Sequence, residues 1–329
     1  MIEVKDKQFK IAVVIPSYKV RDHILGVIGG MEPFVDRIYV VDDCCPVGSG
    51  QLVLDESRDP RVRVLFNEEN QGVGGAVIHG YKAAIEEGVD IIVKVDGDGQ
   101  MDPTLMSNFI EPIAAGEADY TKGNRFFDLE EIKAMPKIRL FGNAVLSFMT
   151  KFSSGYWDLF DPTNGYTAIH RDVARRVITK QISLRYFFET DMLFRLNTLR
   201  AVVVDVPMSA KYGDEVSNLK ISKIVGEFLF KHFRNFLKRV FYNYYLRDMS
   251  IASLQLPLGA LLLVFGLVFG GFHWIENARK EIATPAGTIM IVTVSLLAGL
   301  QFVLAFIAED IASVPRRVLH RRALARMTS

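Results

Sequence analysis

The chain has few cysteines and almost equal numbers of acidic and basic residues. Its only two cysteines, Cys44 and Cys45, are adjacent, so they form no disulfide framework and suit a reducing cytosol. A reactive vicinal pair is the alternative to two ordinary cysteines. Because 39 Lys and Arg residues balance 38 Asp and Glu residues, no overall field indicates a nucleic-acid binder. We expect no signal peptide, since the first apolar run, IAVVIP, is short and typical of a strand.

Two long apolar runs near the end of the chain contain no Asp, Glu, Lys or Arg. They extend from Ile251 to Ile275 and from Ala286 to Ala308, and each is long enough to cross a hydrocarbon core of about 30 Å. They predict two transmembrane helices, with a buried hairpin in a soluble core as the alternative. The segment between them holds two basic residues, whereas the tail beyond is rich in arginine: Arg316, Arg317, Arg321, Arg322 and Arg326. The positive-inside tendency therefore predicts a multi-pass protein of the cytoplasmic (inner) membrane, with the N-terminal region and the C-terminus cytoplasmic.

The first 215 residues alternate between strand-like and helix-like segments. The apolar runs FKIAVVIP, RIYVVDD, RVRVLFNE and DIIVKVDGD are rich in β-branched residues, as in strands buried on both faces. This pattern predicts an α/β fold with a mostly parallel, Rossmann-like sheet. Ligands of such sheets bind at the carboxyl ends of the strands, which is where polar residues follow these runs.

Residues 216–248 form a basic amphipathic segment between the sheet region and the apolar runs. Apolar side chains recur at steps of three and four, with lysines and arginines between them, which predicts one or two helices. Their position before a membrane span favours contact with anionic headgroups, and packing on the protein's own core or on a sister subunit is the alternative. The predicted organisation is 1–215, 216–248, a two-span region at 249–310 and a basic tail at 311–329.

The stretch VKVDGDGQMD, residues 93–102, ends an apolar run in closely spaced carboxylates. On an extended chain the side chains of Asp96 and Asp98 point the same way, and Gln100 adds an amide oxygen on that side. Oxygen ligands of this kind suit a hard divalent ion, Mg²⁺ or Mn²⁺, which keeps open positions for phosphates. A solvated turn is the alternative for this short motif.

Other polar motifs accompany it. The carboxylates of VVDD at the end of another strand could accept hydrogen bonds from a ribose or a base, and Tyr18 offers a ring for stacking. Gly72, Gly74 and Gly75 begin a predicted helix, where backbone N–H groups can approach a phosphate or where the chain makes a tight turn. Because their spacing is not Gly-x-Gly-x-x-Gly, a nicotinamide enzyme is disfavoured.

Taken in order, several motifs resemble those of inverting GT-A-fold glycosyltransferases, and among them the polyprenyl-phosphate transferases of the dolichol-phosphate mannose synthase type. The resemblance covers most of residues 9–220, and the two apolar runs are similar to the membrane-anchored branch. It rests on VVIPSY, VVDD, NQGVGGA, GYKAA, VDGDGQMDP, GNRF, DPTNGYTAIHRD and VPMSAKYGDEVSNL. The resemblance implies transfer of a sugar from a UDP- or GDP-linked donor to a membrane-embedded polyprenyl phosphate, with Mg²⁺ or Mn²⁺ as cofactor.

The resemblance also implies roles for single residues. The nucleotide would be held by Pro16, Tyr18, Asp42, Asp43 and Asp96, and the metal by Asp96, Asp98 and Gln100. The acceptor phosphate would be met by Arg125, Arg139 and Lys211, because a guanidinium fork suits a phosphate. Pairing with a surface carboxylate is the alternative for either arginine.

Three carboxylates are candidates for the chemistry itself: Asp98, Asp161 and Asp191. Asp161 in DPTNGY would lie near the acceptor, orient the sugar or cap a turn. Glu189 and Asp191 in FFETDML lie where related transferases carry an acid, and a structural role is the alternative. A phosphate monoester has a second pKa near 6, so an acceptor phosphate is largely anionic at neutral pH and a strong base is optional.

The chain departs from the family pattern beside the predicted nucleotide pocket, where Lys19 and Val20 replace Asn-Glu and Cys44-Cys45 replace Gly-Ser. These departures leave uridine and guanosine open. A processive polysaccharide synthase is a second hypothesis, but the chain lacks Gln-x-x-Arg-Trp and two spans form a poor channel. A membrane scaffold or transport partner without turnover is a third. The resemblance and the apolar helix face also predict a homo-oligomer.

Overall fold

The computed structural model describes residues 2–4, 7–127, 137–179, 181–209 and 221–321. The chain divides into two compact units. The first comprises Met1–Phe236 and Pro315–Ser329, and the second comprises Leu237–Val314. The end of the tail, which the sequence predicted as a separate segment, therefore belongs to the same unit as the sheet.

The first unit contains a sheet of seven described strands. They are β3 Ile11–Ser17, β4 Arg37–Asp42, β5 Val62–Phe66, β6 Ile91–Lys94, β7 Tyr120–Asn124, β8 Thr167–His170 and β9 Val203–Pro207, and the pair β1 Ile2–Val4 and β2 Lys7–Phe9 precedes them. Their order in the sheet is β5-β4-β3-β6-β8-β7-β9. Neighbouring strands run parallel except where β8 pairs with β6 and β7. The predicted α/β, mostly parallel sheet is confirmed.

The central strands are apolar on both faces, as a sheet covered by helices requires. Every residue from Ile11 to Ile15 is fully buried, and Val13 pairs with Ile38 on one side and Val93 on the other. The helices of this unit are α1 Ile24–Gly29, α2 Ser49–Glu56, α3 Val73–Glu86, α4 Met106–Ala114, α5 Lys137–Ser154, α6 Arg171–Val177, α7 Phe188–Leu199 and α8 Ile221–Phe241, which continues past Phe236 into the second unit. The result is a rigid scaffold with its strand ends available for a site.

Helix α8 lies within the predicted amphipathic segment. His232 and Asn235 are buried, and they contact Ser153 and Asp191, both residues of the first unit. Large apolar side chains on the other side of the helix are exposed: Leu229, Phe230, Phe233, Leu237 and Phe241. The packed side also includes Phe236, whose ring stacks on Phe152 at 4.0 Å. The helix thus packs through one side and leaves an apolar face uncovered, a distribution suited to a lipid surface.

The second unit consists of the end of α8, a π-helical turn at Tyr242–Arg247, and the helices α9 Ala252–Arg279 and α10 Ala286–Ala312. Both long helices are apolar and long enough to cross a membrane. They approach closely where Gly259 and Gly299 meet, since a Cβ on Gly259 would lie 3.0 Å from the Gly299 carbonyl oxygen. Near the C-terminal end of α10, Asp310 accepts from Arg239 Nη1 at 2.6 Å and from the Tyr244 hydroxyl at 2.8 Å.

Candidate active site

The carboxyl ends of β3 and β4 carry the residues predicted to hold a nucleotide. Pro16 lies within β3 and pairs with Val41, and Tyr18 follows the strand with 44% of its side chain exposed. Asp42 accepts from the N–H groups of Cys45 and Gly50, both at 2.7 Å. A buried carboxylate thus folds the loop after β4 against the start of α2.

Asp43 is also engaged within the chain. Its carboxylate accepts from the Asn67 amide at 2.7 Å and from the backbone N–H groups of Gln71 and Gly72 at 2.9 and 2.7 Å. Asp42 and Asp43 therefore organise the loops around Tyr18, and their contact with a nucleotide stays a prediction.

The glycines at the start of α3 serve close packing. Gly72 has a φ of 84°, a left-handed conformation that favours glycine. The Gly74 N–H donates to the Leu184 carbonyl at 2.8 Å, and a Cβ on Gly74 would lie 2.5 Å from the Phe188 ring. Because Asp43 and Leu184 already accept from this helix end, the structure favours the tight-turn alternative over a phosphate cradle.

The predicted metal motif follows β6, but in a turn. The strand ends at Lys94, and Gly99 has a φ of 78°, so the chain from Asp96 to Gln100 is not extended as the sequence argument assumed. That prediction of geometry is wrong, because a glycine in the left-handed region reverses the chain. Within this turn the Gln100 backbone N–H donates to Asp98 Oδ1 at 3.0 Å, which keeps these two residues of the motif together.

Lys94 is a site residue that the sequence analysis missed. Its side chain is 2% exposed, and its ammonium lies 2.8 Å from Asp96 Oδ1 and 3.5 Å from Glu189 Oε1. It also donates to the Gly165 carbonyl at 3.1 Å. Burial opposes the charge on Lys94, but Asp96 and Glu189 together raise its pKa above the ordinary lysine value. A lysine inside the apolar run of DIIVKVD was the available signal.

Glu189 and Asp191, both at the start of α7, have different surroundings. Burial raises the pKa of Glu189 above its usual value, although Lys94 opposes the shift. Asp191 instead accepts from the Ser183 N–H, from Arg195 and from Asn235, at 2.9, 3.1 and 3.1 Å. The structure therefore brings Glu189, rather than Asp191, to the carboxylate turn, and a catalytic role of Asp191 stays a prediction without contacts there.

Arg125 and Asp161 form a bidentate pair just beyond β7. Arg125 Nε and Nη2 lie 2.7 and 3.1 Å from the two oxygens of Asp161, whose side chain is 1% exposed. Burial raises the pKa of Asp161, but the Arg125 guanidinium outweighs it and holds that pKa below its ordinary value. The partner of Arg125 is thus a buried carboxylate rather than a surface one. Lys211 lies outside the described residues, and Arg139 lies in α5 with its side chain outside the description.

One short loop connects the Arg125–Asp161 pair with the carboxylate turn. At one end of this loop, Asn164 donates to Asp161 at 3.3 Å. At the next residue, a Cβ on Gly165 would lie 2.5 Å from Asp96 Oδ2 and 2.6 Å from Lys94 Nζ. Through these contacts the DPTNGY segment brings the predicted donor and acceptor residues close together.

An open apolar cavity of about 360 Å³ adjoins the Arg125–Asp161 pair through the next residue, Phe126. Most of its lining comes from α5: Phe126, Leu140, Asn143, Ala144, Ser147, Phe148, Lys151 and Phe160. Apolar rings thus continue directly from the predicted phosphate-binding arginine, an arrangement suited to an anion carrying an apolar chain.

The carboxylate turn fits a hard divalent ion by its donor chemistry. Asp96 and Asp98 supply carboxylate oxygens, Gln100 supplies an amide oxygen, and the side chains are only partly buried, so water and phosphate can complete the coordination. Among the described residues, no group of three or more His, Cys, Asp or Glu side chains could hold a metal by itself. The turn therefore offers oxygen donors for such an ion without a complete set of protein ligands, and a metal site here stays a prediction.

Comparison with known proteins identifies related sequences and folds. A model of glycosyl transferase family 2 matches residues 12–178. The chain is 30% identical over 219 residues to the UDP-N-acetylglucosamine–dolichyl-phosphate N-acetylglucosaminyltransferase of Methanococcus voltae, a match covering 62% of this chain and 86% of that protein. It is 28% identical to the undecaprenyl-phosphate mannosyltransferase of Micrococcus luteus, covering 66% and 90%.

Among solved structures, the fold resembles glucosyl-3-phosphoglycerate synthase of Mycobacterium tuberculosis in complex with Mn²⁺, UDP-glucose and phosphoglyceric acid. The TM-score is 0.51 at 16% identity, and the match covers 70% of this chain and 79% of that one. At this identity the likeness concerns the fold alone, and it agrees with the predicted GT-A, Rossmann-like architecture.

Proposed function

The chain belongs to glycosyl transferase family 2, and from this premise we propose that it transfers a sugar from a nucleotide diphosphate sugar to a polyprenyl phosphate. The named relatives of Methanococcus voltae and Micrococcus luteus act on dolichyl and undecaprenyl phosphate, which supports this acceptor class. The apolar helices α9 and α10 support a membrane setting. By the arginine excess of the tail, the reaction takes place at the cytoplasmic membrane face.

The donor lies at the carboxyl ends of β3, β4 and β6. Tyr18 stacks on the base, while Asp42 and Asp43 maintain the loops that surround it. Asp96, Asp98 and Gln100 would hold Mg²⁺ or Mn²⁺, because their oxygen atoms suit a hard divalent ion. The solved structure of similar fold contains Mn²⁺ together with UDP-glucose. A bound divalent ion supplies Lewis-acid stabilisation of the charge on the departing nucleotide diphosphate.

The acceptor lies on the other side of the DPTNGY segment. Arg125 meets the acceptor phosphate, and Asp161 fixes the guanidinium plane so that its direction is set before the acceptor binds. The apolar cavity beside Phe126 takes the first part of the polyprenyl chain. Because the phosphate of the acceptor lipid is already largely anionic at neutral pH, its attacking oxygen needs no strong general base.

The observation that carries the proposal is the contact of one short loop with both halves of the site. Asn164 contacts Asp161, and Gly165 lies against Asp96, so the acceptor arginine and the cation motif converge. The test incubates membranes containing the full chain with labelled nucleotide sugars and polyprenyl phosphate. We expect label extractable into organic solvent and a product of the matching lipid mass.

The Asp98→Ala variant should abolish that product while leaving the amount of membrane-inserted protein unchanged. Running UDP- and GDP-linked sugars in parallel identifies the base and the sugar in the same assay. Metal-independent nucleotide binding without lipid product would support the scaffold hypothesis, and a long polymeric product would support the processive synthase.

A further inference from the structure

Lys94 places a fixed positive charge inside the carboxylate turn. Its ammonium donates to the Gly165 carbonyl at 3.1 Å and lies 2.8 Å from Asp96 Oδ1 and 3.5 Å from Glu189 Oε1. The side chain is 2% exposed, so water contributes little to its solvation. An ammonium held in this way has one location, and that location is beside the first aspartate of the cation motif.

Lys94 offsets part of the negative charge of the carboxylates around it. Its single positive charge faces two carboxyl groups, those of Asp96 and Glu189. A divalent ion bound to Asp96 would lie close to the Lys94 ammonium. That ammonium is held in place by its contacts with Glu189 and the Gly165 carbonyl. Like charges at this separation in a partly buried site repel strongly.

We infer that Lys94 is a positioning residue that occupies Asp96 in the donor-free chain, so that the divalent cation binds weakly alone and tightly together with a nucleotide diphosphate. The inference rests on the proposed function. The two phosphates of the donor add negative charge that outweighs the repulsion from Lys94, and they also supply the oxygen ligands that Asp96, Asp98 and Gln100 leave open. Lys94 thereby couples cation binding to donor binding.

The experiment titrates MnCl₂ by calorimetry into the purified full chain in detergent, with and without UDP or GDP. For the unmodified chain we expect weak binding alone and an affinity at least tenfold higher with one of the nucleotides. The Lys94→Met variant has a side chain of similar length without the charge. We expect it to bind MnCl₂ alone at least tenfold more tightly than the unmodified chain. Lys94→Arg retains a cation and should keep the binding of MnCl₂ alone weak.

Lys122→Met is the matched control. Lys122 is equally buried, on β7, and its ammonium lies 3.2 Å from Asp205. Loss of Lys122 removes a buried lysine, as loss of Lys94 does, but it leaves the positive charge beside Asp96 in place. We therefore expect its affinity for MnCl₂ alone to equal that of the unmodified chain, with folding of each variant checked by circular dichroism.

Glu189→Gln tests the inference while retaining Lys94. With Glu189 neutral, the ammonium pairs more fully with Asp96, so the affinity for MnCl₂ alone should fall severalfold. The inference is overturned if Lys94→Met binds MnCl₂ no more tightly than Lys122→Met, or if Glu189→Gln leaves the affinity unchanged. If the unmodified chain binds no Mn²⁺ even with UDP or GDP, the proposed cation-dependent function fails as well, which distinguishes the two outcomes.

Discussion

Arg125 directs two of its nitrogens at one buried carboxylate, so that Arg125 and Asp161 act as a unit. Parallel contacts of 2.7 and 3.1 Å fix the guanidinium plane as well as its position. A guanidinium held in one plane loses less entropy when it meets a phosphate than one that must first be ordered. At this scale the proposed acceptor end of the site depends on a charge pair rather than on a single arginine.

We expect Asp161→Asn to raise the KM for polyprenyl phosphate about tenfold and to leave the donor KM unchanged, because the guanidinium loses its charged partner. Steady-state kinetics with each substrate varied in turn measures the effect. Asp59→Asn is the control, since Asp59 pairs with Arg61 at 2.7 Å just before the amino end of β5, whereas the site lies at the carboxyl ends of the strands. Equal kinetics in the two variants would contradict a role of Asp161 in orienting Arg125.

Two buried histidines predict a dependence of stability on pH. Burial lowers the pKa of His170 and of His232 from 6.5 to about 4. Between pH 6.5 and about pH 4 the unfolded chain binds more protons at these histidines than the folded chain does. The stability that comes from keeping the two histidines neutral is therefore complete above about pH 6.5 and is lost as the pH falls towards 4.

We expect the melting temperature to fall between pH 6.5 and pH 5, and to fall less in His170→Asn. His170 caps α6 by accepting from the Asp172 N–H, and asparagine can make the same cap without titrating in this range. Thermal unfolding in detergent followed by circular dichroism measures the slope. An identical slope in the variant would show that His170 does not carry this dependence.

At the scale of elements, α5 provides most of the wall of the apolar cavity. Leu140, Ala144 and Phe148 recur at a four-residue step, so they line one side of the helix, and the neighbouring Val145 is not part of the lining. The small side chain of Ala144 leaves the space that we assign to the polyprenyl chain. In the proposed function, this face of α5 binds the acceptor chain rather than packing in the core.

Ala144→Trp should fill this space and raise the KM for polyprenyl phosphate about tenfold or more, with the donor KM unchanged. Lipid-product formation at varied acceptor concentration measures the loss. Val145→Trp places the same ring on the same helix outside the lining, and it should retain the acceptor KM of the unmodified chain. Equal losses in both variants would argue against the cavity as the acceptor site.

At the scale of the whole molecule, the chain leaves the sheet-containing unit at Phe236 and re-enters it at Pro315. The returning tail is held by Asp119, which is fully buried at the start of β7. Asp119 Oδ1 accepts from the N–H groups of Leu319 and His320 at 3.0 and 3.1 Å and contacts His320 Nδ1 at 2.9 Å. The His320 ring stacks on His170 at 4.2 Å. The tail is therefore a docked segment of the sheet unit.

We expect Asp119→Asn to lower the free energy of unfolding by about 2 kcal/mol, because several buried donors lose a charged acceptor. The released tail should then be cleaved by trypsin at Arg316 and Arg317 at least tenfold faster, as followed by intact mass. Asp172→Asn, at a partly exposed carboxylate near His170, is the control and should keep the slow rate. Equal cleavage rates would contradict docking of the tail through Asp119.

The sequence by itself determined the elements whose formation depends on nearby residues. Apolar, β-branched runs such as IAVVI and DIIV predicted buried parallel strands, and two uncharged runs predicted the long helices α9 and α10. The order of the motifs also indicated the family and placed Asp96, Asp98 and Arg125 at strand ends, because these signals are local patterns of hydrophobicity and residue type.

Only the tertiary structure decided which side chains meet. Lys94 contacts Glu189, Arg125 contacts Asp161 and Asp119 contacts His320 across long stretches of sequence, and no periodicity encodes these pairs. The turn at Gly99 likewise replaced the extended geometry that alternation predicted for Asp96 and Asp98. The physical reason is that a buried charge is tolerated only beside a partner, and the packing of the entire sheet and its loops determines which partner comes within a few ångströms.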